Sequence, residues 1–216
     1  ENGRIAVEMF SSHEEGYYDA ILMAYSSFNL VPLSLTEALR SIDDRIRKLD
    51  HALKDPARCT SAAKRERTAL AKRREKLAGD AKSASTGITF DQLGITRLFV
   101  DEAQNFKNLA VGGARFRMGG VSHRGSATCT HMHDAIRCVQ HAGGGAVFLS
   151  GTIMTNSIAD LFVMQTYLQQ GTLSFLGLAS FDAWANMFAR KVSGFEIDVD
   201  TSSYRRTTRL GGHAGT

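Results

Sequence analysis

Residues 98–104, L-F-V-D-E-A-Q, constrain this chain more than any other stretch. An apolar run that ends in two adjacent carboxylates predicts a short buried strand. Such a strand delivers Asp101 and Glu102 to the carboxyl edge of a sheet, where open α/β sheets bind ligands. Two neighbouring acids there can divide the work of nucleotide hydrolysis. One holds Mg²⁺, usually through water, and the other orients or deprotonates the attacking water. The plain alternative is a buried strand ending in a solvated acidic turn, which is common in parallel sheets. A second segment weighs against it. Residues 146–152, A-V-F-L-S-G-T, predict another apolar strand that stops at a Ser-Gly-Thr turn. That turn is small and hydroxyl-bearing, so its backbone can approach a phosphate or the acidic strand beside it. Residues 156–168 then predict an amphipathic helix, with Ile158, Leu161, Phe162, Gln165 and Leu168 at helical spacing.

A chain of 216 residues is one domain, or one domain plus an insertion. Hydrophobic residues make up 43% of it, enough for a core, and no apolar run approaches the roughly 20 residues of a membrane span. The first fifteen residues are polar, with His13, Glu14 and Glu15, and show no secretory signal. Cys59, Cys129 and Cys138 cannot all pair, which favours a reducing, cytoplasmic setting. The net charge of +4 says little, but its distribution says more. Residues 37–82 hold fourteen Lys/Arg against eight Asp/Glu, and residues 64–76 alone hold seven bases and two acids. Basic clusters of this kind attract nucleic-acid phosphates in a salt-dependent way. A solvated helical face is the bland alternative.

Along the chain, residues 5–10 predict a strand and residues 19–24 a second, buried one leading into a polar Tyr-Ser-Ser-Phe loop. Ser34 or Thr36 caps a long helix with Leu39, Ile42, Ile46, Leu49 and Leu53 on one face, interrupted at Pro56. A second helix over 61–77 ends at Gly79, and the two form an inserted antiparallel hairpin across 35–82. With only Ala62, Ala69, Leu70 and Leu77 as apolar surface, the second arm is expected to pack loosely on the first. The chain returns to the sheet through the linker 82–87. A Gly- and Arg-rich loop spans 111–126, a helix 131–141, and a strand 146–149 follows. The span from Val100 to Ala146 is read as a right-handed strand-helix-strand crossover that sets the two motif turns side by side. A short amphipathic helix is expected over 181–188, and residues 193–216 as a frayed, cut end.

D-E-A-Q-N-F-K-N-L (101–109) followed by L-S-G-T-I-M-T-N-S-I-A-D-L-F-V-M-Q-T-Y-L-Q (149–169) resembles superfamily 2 helicases and Swi/Snf-type translocases. In these an acidic box precedes a Ser/Thr-Gly-Thr-Pro box and an Asn-containing helix. The large helicases of phages, plasmids and integrative elements, often fused to an adenine-specific DNA methylase, are the most similar group. They also carry segments like Y-D-A-I-L-M-A-Y-S-S-F-N-L-V-P-L-S (18–34) and F-D-A-W-A-N-M-F (181–188), in that order. Two positions depart from the pattern. Ile153 replaces the usual proline and loosens the turn, and Gln104 stands for the usual histidine, as in several members.

The resemblance implies an α/β, RecA-like P-loop NTPase domain fragment. Its sheet would be mainly parallel and flanked by helices, with the basic hairpin inserted. Residues 1–34 would supply strands and a nucleic-acid-facing loop, and 83–192 the acidic and Ser-Gly-Thr boxes. It further implies ATP and Mg²⁺ as cofactors, Asp101 as the metal holder and Glu102 as the residue that polarises water. Gln104 would sense the γ-phosphate towards the Ser-Gly-Thr turn, with a helix-capping side chain as the alternative. Ser150, Gly151 and Thr152 would couple nucleotide state to the nucleic-acid side. Ser26 and Ser27 would touch the nucleic-acid backbone, or simply cap. Arg115, Arg117 and Arg124 are further candidate phosphate contacts. DNA is the expected partner, with RNA as the alternative, and no membrane. No G-x-x-x-x-G-K-[ST] string occurs, so the phosphate loop is expected upstream and a second, arginine-bearing motor domain downstream. A non-catalytic DNA-binding or regulatory module on the same scaffold is the competing reading. Cys129, His131, His133, Cys138 and His141 have zinc-ligand chemistry, but their spacing matches no standard knuckle, so ordinary helix residues are the better reading.

Overall fold

A computed structural model of the protein describes residues 7–10, 19–54, 61–79, 88–110, 125–154, 157–197 and 204–213. In chain order the elements are β1 (Val7–Phe10), β2 (Ala20–Met23), the single-turn α1 (Tyr25–Phe28), α2 (Leu35–Leu53) and α3 (Ser61–Gly79). A 3-10 turn (Phe90–Leu93) leads to β3 (Arg97–Val100), and a second (Ala103–Phe106) follows it. Then come α4 (Ala127–His141), β4 (Gly145–Phe148), α5 (Ala159–Leu168), α6 (Gln170–Phe175), α7 (Phe181–Phe188), β5 (Ala189–Ile197) and β6 (Tyr204–His213).

The strand expected before the acidic pair forms at Arg97–Val100 and pairs in parallel with β4, from Arg97↔Gly145 to Val100↔Phe148, but it is buried on one face only, with Phe99 exposed on the other. Helix α4 lies in the connection between them, as a parallel pair requires. The sheet is not mainly parallel among the described residues: β1 pairs with β2, and β5 with β6, both antiparallel. The reason is connection length. Short returns permit only antiparallel neighbours, while a parallel neighbour needs a crossover of a dozen or more residues. The strand expected to be buried at 19–24 is also corrected. Leu22 is 62% exposed, because an antiparallel pair can leave one face in water.

One face of the β3–β4 pair is packed. Val100 is buried, and Leu98, Ala146 and Phe148 lie against the same cluster. Helix α4 contributes Met132, Ala135, Ile136 and Val139, whose 3- and 4-residue spacing makes one apolar stripe. Helix α5 differs from its expected amphipathic form. Ala159, Asp160, Phe162, Val163, Met164 and Tyr167 are all buried, because α4, β4, α6 and α7 surround it. The last expected helix forms at Phe181–Phe188, capped by Ser180 Oγ accepting from Ala183 N–H at 3.3 Å. Beyond it the described residues form an antiparallel ribbon in place of the expected frayed end. Strands β5 and β6 pair from Ala189↔His213 to Ile197↔Tyr204, since backbone hydrogen bonding sustains a ribbon even where apolar alternation is weak.

Helices α2 and α3 lie against each other, with α2 capped by Ser34 Oγ accepting from Glu37 N–H. The two arms of this hairpin are tied by ionic rungs: Arg74 to Asp43 at 2.6 Å, Arg67 to Asp50 at 3.0 Å and Glu66 to Arg45 at 3.8 Å. Asp43 meets Arg74 while Asp50, a turn or two later, meets the earlier Arg67, the reversed order of antiparallel arms. The Arg74 guanidinium beside Asp43 holds that carboxyl below the usual carboxylate range. The second arm offers little to bury, as its sparse apolar stripe leads one to expect: among its described side chains Leu70 alone is buried, and the ion pairs lie at the exposed rim. Ser41 Oγ, donating to Asp134 Oδ1 at 2.6 Å, fastens the hairpin to α4. Pro56 lies outside the described residues.

The Gly143–Gly145 run closes α4 and launches β4. Gly143 N–H bonds Gln140 O at 3.1 Å and Gly144 N–H bonds Val139 O at 2.9 Å, the paired bonds of a Schellman cap, with Gly143 at φ +82°. A Cβ on Gly144 would sit 2.3 Å from Thr96 O and 2.9 Å from Val139 O, whereas one on Gly145 meets nothing. Gly144→Ala should therefore lower unfolding free energy by about 1–3 kcal/mol, and Gly145→Ala should cost less than half of that. Urea denaturation of both variants checks it, and equal losses would refute the close-approach explanation.

Candidate active site

The acidic box and the Ser-Gly-Thr turn meet at the carboxyl ends of the two parallel strands. Leu149 N–H bonds Val100 O at 2.9 Å, and Ala103 N–H bonds Leu149 O at 3.0 Å, so the ladder runs on past both strand ends. That continuation holds residues 101–103 against residues 149–150. Asp101 and Glu102 are both exposed at this edge. Asp101 Oδ1 accepts from Glu102 N–H at 2.9 Å, and Asn105 N–H bonds Glu102 O at 3.0 Å, which starts the 3-10 turn.

Four residues then form a directed chain of hydrogen bonds. Thr152 N–H donates to Ser150 Oγ at 3.1 Å, and Ser150 O–H donates to Gln104 Oε1 at 2.5 Å. Gln104 Nε2 donates to Glu102 Oε2. The two polar ends of one amide thus join the Ser-Gly-Thr turn to the second acid of the box. The helix-capping alternative for Gln104 is not what this side chain does. Gly151 has open space where a Cβ would stand, so its neighbours leave that side of the turn uncovered.

Glu102 is the one non-glycine among the described residues with positive φ, at φ 48° and ψ 46°. An L-residue pays roughly 1–2 kcal/mol for that left-handed region, and strain of this sort gathers at functional sites. No sequence signal marked it. Two tyrosines that sequence reasoning missed support the turn. Tyr25 Oη donates to the Asp101 carbonyl. Tyr167, fully buried, places its hydroxyl 3.0 Å from both Phe106 O and Cys129 O. Burial first, and the neighbouring Cys129, push the Tyr167 phenol far above its ordinary value, so it stays a donor.

The remaining candidates divide. Ser26 is exposed on α1, but Ser27 is only 5% exposed, so the two hydroxyls do not share a surface. Neither caps α1, whose N-cap is Ala24. Arg115, Arg117 and Arg124 lie outside the described residues. The zinc-type residues are engaged separately: Cys129 is buried, His131 Nε2 lies 3.2 Å from Phe28 O, His133 Nδ1 faces Asp134, and His141 pairs with Arg137. Among the described residues no three His, Cys, Asp or Glu side chains group as metal ligands. That donor set still suits Mg²⁺, which takes one or two carboxylates and completes its shell with water and phosphate oxygens. Asp101 and Glu102 offer two exposed carboxylates of that hard-oxygen kind.

A protein-family model described as a probable helicase domain matches residues 2–209, and the chain belongs to that family. Neither the curated proteins nor the solved structures contain a significant match to it. The protein is thus a helicase-type domain, of a class that handles nucleic acid. No helix among the described residues is long and apolar enough to cross a membrane.

If Glu102 is held in a conformation its side chain disfavours, Glu102→Gly should leave the domain at least as stable as the parent, with a gain of up to about 1 kcal/mol. Thermal unfolding reads this. A clear loss of stability would mean that the carboxylate's bond from Gln104 outweighs the backbone strain.

Proposed function

We propose that this domain works within an ATP-dependent DNA helicase or translocase and contributes the hydrolysis and coupling elements of its motor. The observation that carries the reading is the hydrogen-bonded path from Glu102 through Gln104 and Ser150 to Thr152. It joins an acid suited to activating water to a turn suited to reporting nucleotide state. RecA-like architecture and kinship with Swi/Snf-type translocases are part of the proposal. So are a phosphate-holding loop and a second motor domain from other segments, a fused adenine-specific methylase and a cytoplasmic setting.

Asp101 would hold Mg²⁺, which when bound with ATP neutralises charge on the phosphate oxygens. Glu102 would orient the attacking water and take its proton on Oε1, since Oε2 already accepts from Gln104. Its strained backbone fixes where that oxygen stands before substrate arrives. Gln104 would register loss of the γ-phosphate by altering its bond to Ser150, which shifts the turn 150–152. Ser26, exposed on α1, would meet the nucleic-acid backbone without reading sequence.

The test is Glu102→Gln in the full-length protein. DNA-stimulated ATP hydrolysis should fall by about 10² or more, the scale of a lost general base, while ATP binding persists. Parental turnover in that variant would reject the role of Glu102, and a parent that hydrolyses no ATP would leave a non-catalytic DNA-binding or regulatory module as the reading.

A further inference from the structure

We infer that Tyr25 is a positioning residue that links nucleic-acid occupancy at the Ser26 turn to the peptide joining Asp101 and Glu102; this rests on the helicase reading above. Tyr25 touches the acidic turn twice. Its hydroxyl donates to the Asp101 carbonyl, and its ring stands edge-on to Phe106 at 5.0 Å and 78°. Those contacts bracket the whole segment from the first acid to the end of the 3-10 turn.

The carbonyl that Tyr25 holds belongs to the planar unit whose N–H opens Glu102. The same N–H is taken by Asp101 Oδ1 at 2.9 Å. Both ends of that peptide are therefore fixed, one by Tyr25 and one by Asp101 itself. Its orientation helps to define φ at Glu102, which lies at +48°. Without the Tyr25 bond the carbonyl can swing, and Glu102 can relax out of the left-handed region. Burial, together with Asp101 and Glu102 nearby, raises the Tyr25 phenol above its ordinary value, so it remains a donor.

The other end of the link is local. Ser26 directly follows Tyr25 in a single helical turn closed by Phe28 N–H to Ala24 O at 2.9 Å and Asn29 N–H to Tyr25 O at 3.1 Å. Phe28 is pinned between Phe90 and His131, at 5.9 and 4.9 Å between ring centroids. With α1 anchored at Phe28, a contact at exposed Ser26 acts on Tyr25 and hence on the acidic turn.

Tyr25→Phe in the full-length protein tests this, because it removes the hydroxyl and keeps the ring against Phe106. The kcat of DNA-stimulated ATP hydrolysis should fall about tenfold, the equivalent of one hydrogen bond. KM for ATP, and affinity for a fluorescent oligonucleotide read by anisotropy, should change less than twofold. Hydrogen–deuterium exchange supplies a readout besides activity. Oligonucleotide should protect peptides covering 101–106 in the parent, and that protection should be lost in Tyr25→Phe. Tyr25→Leu should lose both protection and the Phe106 contact, so the Phe variant should be the milder of the two. A parent that hydrolyses no ATP would sink the motor reading while leaving the exchange comparison to judge the link. Absence of DNA-dependent protection in the parent, or its retention in Tyr25→Phe, would overturn the inference.

Discussion

Parallel pairing of Val100 with Phe148 is the constraint on which the candidate site depends. Once those residues are neighbours, the next ladder bonds, Leu149 to Val100 and Ala103 to Leu149, bring the ends of two distant segments together. Everything chemical follows from that juxtaposition. Gln104 reaches Ser150 only because both leave the sheet at the same edge. Val100 and Phe148 contribute no chemistry, yet burial on one face sets the register that places the acids.

The site is also held from outside the sheet. Tyr25 and Tyr167 fasten opposite ends of the acidic turn through main-chain carbonyls. Hydrogen bonds to carbonyls fix backbone direction rather than side-chain chemistry, which is what a strained residue such as Glu102 requires. Its left-handed conformation persists because the Asp101 side chain, the Asn105 amide and the Leu149 carbonyl constrain the peptides around it. Such over-determination is how local strain survives in a marginally stable fold.

The hairpin illustrates a different balance. Its second arm carries too few apolar residues to bury against the first by hydrophobic contact alone, and the ion pairs between arms set alignment and direction. Exposed ion pairs of this sort are individually weak and screened by salt. Lys64, Arg65, Lys72, Arg73 and Lys76 lie on the exposed surface of this arm, so part of its positive charge faces solvent.

Local pattern in the sequence was enough to locate the strands Arg97–Val100 and Gly145–Phe148, the capped hairpin and the helix Phe181–Phe188. Short apolar runs and cap residues act over a few positions, so their signal is local. Residue type was also enough to nominate the Asp101 and Glu102 pair, and the helicase resemblance added Gln104 and Ser150. The parallel neighbours around the crossover were legible, but the antiparallel β1–β2 and β5–β6 pairs were not, because they depend on which edges meet and a strand's own residues do not encode that. Nor was the face of α5 that is buried, Ala159, Asp160, Val163, Met164 and Tyr167, which its neighbours select, nor the concealment of Ser27. Tyr25 and Tyr167 act through carbonyls 76 and 61 residues away, and left-handed Glu102 owes its conformation to them and to the strands. Contacts that span the chain exist only once the fold has closed, so tertiary structure alone decided them.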